Sequence, residues 1–183
     1  EQVNAADLSR YQVVAMLNVD RVNEALQKAL PDFVDNGGSL LLAPADRVER
    51  NAFNSTFGDV TPGLLTTAET EPEGEYLVLA DINNRHAIVQ PLRSSERSDF
   101  GAAHFQSHWA ADTTQGSTVV LGFDNGDPAL MARTIGKGRV ALFTSSLDTE
   151  WNNLPLQVLY LPLLHETMRY LTMSEERKRS YII

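Results

Sequence analysis

No cysteine occurs anywhere in the 183 residues. That absence removes disulfides, thiolate metal sites, iron–sulfur clusters and a thiol nucleophile in one step. It leaves the compartment open, because proteins of this size fold without disulfides both inside and outside the cytoplasm. Basic residues are also scarce: 15 Lys and Arg stand against 24 Asp and Glu, a formal net charge of -9. Such a field opposes approach to nucleic-acid phosphates, so no nucleic-acid partner is expected. No apolar run reaches the roughly 18 to 20 residues that span a bilayer, and residues 1–15 lack the basic and apolar blocks of a signal peptide. Direct membrane insertion by this stretch is therefore not expected. The full phosphate-loop pattern is missing as well, and Gly136-Lys137-Gly138, flanked by strand-like runs, reads as a hairpin turn.

What is present is a chain with 43% hydrophobic residues, enough to bury one core, and residues 1–183 are expected to form a single domain with its core at about 8–172. The near-continuous apolar run at 12–19 suits a strand buried on both faces of a parallel sheet. Val22, Ala25, Leu26, Ala29, Leu30, Phe33 and Val34 then follow helical spacing, with Gly37 and Gly38 where a left-handed cap belongs. Pro31 inside that pattern predicts a kink or break. Ser39 to Ala43 reads as the next buried strand. Residues 44–75 read as an irregular connection with one short helix, in which Glu69, Glu71, Glu73 and Glu75 form a solvated acidic loop in preference to a cation site.

The second half shows short β-type runs at 76–80, 103–109, 118–123, 129–135 and 139–144. Asp124-Asn125-Gly126 tolerates positive φ and predicts a hairpin between the third and fourth of these. A helix at 156–171 is expected to carry Val158, Leu159, Leu163, Met168 and Leu171 on its core face, and the charged tail 175–179 to leave the domain. Because 12–19 reads as a central strand with nothing before it to pair with, the natural chain is expected to begin earlier.

Three segments carry a family resemblance: VVAMLNV (13–19) with ALPDFVDNGGSLLLAP (29–44), NGDPALMARTIGKGRVALFTSSLDTEWNNLP (125–155) and LYLPLLHETMRYL (159–171). Together they resemble the class I glutamine-amidotransferase-like domain of BatA-type bacterial membrane proteins, which are aerotolerance-related and have a double-transmembrane N-terminus. Residues 136–152 are the most specific part. The resemblance implies a flavodoxin-like, Rossmann-like α/β three-layer sandwich with a mixed sheet and a β-hairpin-rich second half. It also implies a periplasmic, soluble part of a membrane-anchored chain, whose partners are other domains of that chain or other envelope proteins. Amidotransferases of this kind set a cysteine on a strand-to-helix elbow. Here SLLLA runs into Pro44-Ala45-Asp46 with no thiol, so that activity does not carry over.

Several constellations remain as candidate chemistry. His104 and His108 are four apart, and with Asp99 or Asp112 they can be drawn as a metal site, or read as surface or hydrogen-bonded histidines. Ser145 and Ser146, with Asp148, Glu150 and His165 following, can be drawn as a hydrolase set, but the Gly-x-Ser-x-Gly elbow is absent and a turn before the last helix accounts for them. Asp7-Leu8-Ser9 is set aside as a cation loop because Tyr11 replaces the second serine. By the rule for open α/β sheets, Asp20, Asp46, Ser145, Asp148 and Trp151 are expected to line a ligand crevice at the strands' C-terminal ends. No cofactor, metal or catalytic residue is assigned. The favoured reading is a non-catalytic binding or assembly module; the alternative is a hydrolase or carbohydrate-binding relative using Ser, Asp and His at that edge.

Overall fold

The computed structural model describes residues 5–94 and 99–173, so the charged tail at 175–179 lies outside the described residues. Eight strands and three α-helices follow in the order β1 (Val13–Leu17), α1 (Glu24–Asp35), β2 (Ser39–Ala43), α2 (Arg50–Phe57), β3 (Gly63–Thr70), β4 (Leu79–Ile82), β5 (Ser107–Thr113), β6 (Ser117–Phe123), β7 (Pro128–Ile135), β8 (Gly138–Phe143) and α3 (Tyr160–Thr172). A six-stranded sheet runs β1-β2-β8-β7-β6-β4, and β3 pairs with β5 in a separate ribbon. Only β1, β2 and β8 are parallel; β7, β6 and β4 join antiparallel. The flavodoxin-like expectation is therefore corrected, since that fold repeats parallel strand–helix units across its sheet. Here one such unit is followed by successive reversals at the Asp124–Asp127 and Gly136–Lys137 turns.

Two apolar layers sit on opposite faces of the sheet, and alternation along β2 and β8 divides residues between them. Leu40, Leu42, Val140 and Leu142 pack toward α1 and α2, through Leu26, Leu30, Val34, Phe53 and Phe57. Leu41, Ala43, Ala141 and Phe143 pack toward α3, through Leu163 and Leu171, and toward Ile88, Val89 and Leu92.

Local chemistry explains the helix ends. Asn23 caps α1 by accepting from the Leu26 N–H at 2.8 Å, and Gly37, at φ 110°, closes it. The amides of Gly37 and Gly38 bond back to Val34 and Phe33 at 3.0 and 2.9 Å. Of the kink or break expected at Pro31, the break does not occur: α1 runs as one helix through it, held by its buried Leu26, Leu30 and Val34. Gly138 passes so close to the Gly38 carbonyl that a Cβ there would collide with it, which locks the β7–β8 turn onto the end of α1. Glu49 caps α2, and the N–H groups of Asn51 and then Ala52 hold its carboxyl below the usual range.

Other expectations also shift. Residues 12–19 do not form a central strand: among the described residues β1 lies at the sheet's edge, with only Met16 buried. The irregular stretch 44–75 holds both α2 and β3. The run at 103–109 moves to β5, and α3 begins four residues later than expected, leaving Val158 exposed while Leu159, Leu163 and Leu171 are buried.

Candidate functional site

The β5 strand is built between two neighbours, and this places one histidine unusually. On one side it pairs with β3, with Glu69 opposite His108. On the other, the Trp109 amide donates to the Thr144 carbonyl at 2.7 Å and Ser145 Oγ donates to the Ser107 carbonyl at 2.9 Å. The ribbon is thereby tied to the C-terminal end of β8. His108 is fully buried, with Phe123 against its ring at 4.9 Å between centroids.

Asp127 closes the β6–β7 turn beside it. His108 Nε2 lies 2.8 Å from Asp127 Oδ2. An ionised carboxylate only accepts, so Nε2 carries the proton in the neutral ring and Nδ1 presents a lone pair. Among the described residues, Nδ1 of His108 is the buried side-chain nitrogen or oxygen without a hydrogen-bond partner. Asp127 is itself fixed: its carboxylate accepts from Asn125 Nδ2 and its amide donates to Asn125 Oδ1, both at 2.9 Å. Glu69 is exposed, and one oxygen from each carboxylate and one His108 nitrogen all lie within 4.8 Å of one another. The group thus joins two anionic acceptors to a buried, oriented imidazole at the edge of the domain.

The residues expected to line a crevice fall into two separately bonded groups. Asp46 accepts from Asn18 Nδ2 at 2.6 Å beyond the ends of β1 and β2, and Asp20 pairs with Arg21 at 3.2 Å. Ser145, Asp148 and Trp151 belong to the loop after β8. There the buried Ser145 hydroxyl donates to Ser107 and accepts from Asn152 Nδ2 at 3.1 Å. Asp148 Oδ1 accepts from the Glu150 amide at 3.0 Å, and the Trp151 carbonyl accepts from the Gln106 amide at 2.9 Å.

The other drawn constellations do not assemble. His104 stacks on Tyr76 at 3.6 Å, Asp99 caps a short turn by accepting from Gly101, and exposed Asp112 sits opposite Leu64, so none of them joins His108. His165 is exposed on α3, 3.2 Å from Glu166. Asp7 pairs with Arg10 at 3.7 Å. Sequence reasoning had His108 and Glu69 in hand but missed Asp127. Its signal was a second acid closing an Asp-Asn-Gly turn, a residue type that turns also use for purely local bonds.

Two clefts border α1. One, of about 460 Å³, includes Leu8, Tyr11, Ala29 and Phe33 in its lining, and the other, of about 580 Å³, includes Val14, Met16, Val19 and Leu26. Neither shares a residue with the Glu69–His108–Asp127 group.

Fold and site together define a mixed α/β domain with a histidine–carboxylate group at one edge, and comparison with solved structures places that architecture. The chain is similar to cytoplasmic protein STM3548 from Salmonella typhimurium, at 19% identity and TM-score 0.76, covering 92% of this chain and 74% of that one. It is also similar to cytoplasmic protein STM1381 from Salmonella typhimurium LT2, at 18% identity and TM-score 0.72, covering 93% and 76%. A β-galactosidase from Rahnella sp. R3 matches at 17% identity and TM-score 0.65, covering 91% of this chain but 24% of the enzyme. No protein-family model matches the sequence, and no curated protein matches it.

At such identities these likenesses establish the fold alone. They overturn the resemblance proposed from sequence, because the matching architecture is that of these proteins and not of BatA-type or glutamine-amidotransferase domains. The periplasmic, membrane-anchored placement rested on that resemblance and falls with it; the two Salmonella neighbours are themselves named cytoplasmic proteins. No helix among the described residues is long and apolar enough to cross a membrane.

Proposed function

We propose that this chain is a carbohydrate-binding domain whose sugar-contacting groups are Glu69 and Asp127, with the buried His108 holding Asp127 in place from behind. The observation that carries the reading is the cluster of three polar groups within 4.8 Å, preset by a buried ring. Vicinal sugar hydroxyls need acceptors a few ångströms apart, held so that little ordering is left to be done on binding. Support comes from the recurrence of this fold as a domain-sized part of β-galactosidases and of an exo-β-1,4-mannosidase, the latter at TM-score 0.52. The chain matches less than a quarter of the Rahnella enzyme, so the activity of the whole enzyme does not come with the fold.

One observation favours cleavage as a second reading: Glu69 and Asp127 form a carboxylate pair with oxygens within 4.8 Å of each other, below the about 5 to 5.5 Å used by retaining glycosidases and well short of the inverting spacing. Asp127, however, already holds His108 and Asn125, which suits a positioning acceptor better than a free nucleophile.

Titration of the labelled protein with galactose, mannose and their aryl β-glycosides, followed by NMR, tests both readings. Binding with a Kd near 1 mM or tighter, shifts centred on residues 69, 108 and 127, and loss of those shifts in Glu69→Gln are expected. Absence of saturable shifts with every sugar overturns the binding reading, and release of the aryl group replaces it with the hydrolytic one.

A further inference from the structure

We propose that Glu69, His108 and Asp127 also form a site for a divalent first-row transition ion of the Zn²⁺ or Mn²⁺ kind. The donor set is one imidazole and two carboxylates. Imidazole suits borderline transition ions and carboxylates suit harder ones, which places the mixed set with Zn²⁺ or Mn²⁺ and disfavours Ca²⁺, which takes oxygen ligands alone. The charge balances: two carboxylates and a neutral ring around a divalent cation leave no net charge, in a chain whose own net charge of -9 draws cations toward it.

The distances fit with one adjustment. His108 Nε2 and Asp127 Oδ2 are 2.8 Å apart. With metal–ligand bonds of about 2.1 Å they subtend an angle of about 85° at a shared ion, close to adjacent positions of a five- or six-coordinate site. Two ligands of one ion can be at most about 4.2 Å apart. Where Glu69 stands farther off, up to 4.8 Å, its exposed side chain closes the gap by rotation. The ion replaces the proton that Nε2 shares with Asp127, and the ring keeps its one proton on Nδ1, so the imidazole stays neutral and no net proton is released.

The second observation that points to an ion is the setting of the ligand ring: it is fully buried, packed against Phe123 and held by Asp127, so that Nε2 is oriented in advance. With the ion on Nε2, Nδ1 carries the ring's proton and has no hydrogen-bond partner among the described residues. The same orphan sets the strength. Metal-bound histidines usually pass their other N–H to an acceptor, and lack of that partner weakens binding by about 10- to 100-fold. Micromolar affinity is therefore expected, not the nanomolar affinity of a closed structural site. Three protein ligands leave coordination positions for water or for sugar hydroxyls. In that respect the inference deepens the carbohydrate reading and rests on the same residues, although ion binding itself does not require that reading.

The test is isothermal titration of the full chain with Zn²⁺ and with Mn²⁺, together with Mn²⁺-induced broadening of NMR signals. One ion per chain is expected, with broadening centred on residues 69, 108 and 127, and at least tenfold weaker binding in Glu69→Gln and in Asp127→Asn. Glu69→Gln changes an exposed side chain and keeps the fold, so it remains informative if Asp127→Asn fails to fold. No saturable binding by either ion, or equal affinity in wild type and Glu69→Gln, overturns the proposal. Repeating the sugar titration with chelator separates the two ideas: sugar binding that survives in the absence of any ion binding leaves the carbohydrate reading standing alone, and ion binding without sugar binding does the reverse.

Discussion

Strands β1 and β8 carry almost the same apolar text, Val-Val-Ala-Met-Leu at 13–17 and Arg-Val-Ala-Leu-Phe at 139–143, and meet opposite fates. Strand β8 is buried at all six positions, with β2 parallel on one side and β7 antiparallel on the other. Among the described residues strand β1 has β2 alone as its neighbour; Met16 is buried while Leu17 stands 50% exposed. An apolar run therefore licenses a strand without fixing its place in the sheet. Place is set by which segments return to pair with it, and β8 is reached both by a hairpin and by the strand–helix–strand unit.

The sharpest way to break this contrast is to truncate one leucine in each strand. Leu142 is fully buried, opposite Leu42 and Met131. Leu142→Ala should cost about 2 to 5 kcal/mol, from lost burial plus the cavity left in a sheet packed on both faces. Urea denaturation measures it. A loss below about 1 kcal/mol would mean that the two helical layers close over the gap and that β8 is not the structural centre assigned to it.

Much of this was legible in the sequence, and the failures share a physical cause. The β6–β7 hairpin followed from Asp124-Asn125-Gly126, and the end of α1 from Gly37-Gly38, because turn and cap chemistry is local. The edge position of β1, the extended character of 63–70 and the pairing of Glu69 with His108 depend on segments far apart in the chain. No local period encodes them. The acidic run at 69–75 was read as solvated, and Glu69 is indeed exposed, yet the cross-strand register sets it opposite a buried histidine. Asp127 reads as a turn residue until the fold brings β5 beside that turn.

A smaller effect tests the start of β8. Arg139 is buried there, hydrogen-bonded to the Tyr170 carbonyl at 2.8 Å and to that of Met173, with its guanidinium 5.0 Å from the Tyr170 ring. His86 packs against the same Tyr170 ring at a tilt of 55°, 4.9 Å between centroids. Burial, and then the Arg139 charge, lower the His86 pKa below its ordinary 6.5. The unfolded chain therefore takes up a proton first as pH falls. The stability held above pH 6.5 should be lost progressively down to the lower folded value and change no further on this account below it. His86→Asn should flatten that slope relative to wild type in denaturation curves taken between pH 7 and 5. Parallel curves would show that His86 titrates alike in both states.

The smallest effect belongs to the other half of the comparison, and its smallness is the point. Leu17 ends β1 with half its surface in water, and β1 is the last strand of the sheet among the described residues. Leu17→Lys should change stability by no more than about 0.5 kcal/mol, because the lysine stem covers what the leucine covered and its ammonium stays hydrated. A charge at an open edge also discourages pairing with another chain, so the variant should be no less monomeric than wild type in sedimentation. If Leu17→Lys instead costs more than about 1.5 kcal/mol, a loss typical of buried sites, or splits an oligomer that wild type forms, then the β1 edge is covered in solution. The difference between β1 and β8 would then lie in what covers each strand, with the intramolecular pairing only one part of it.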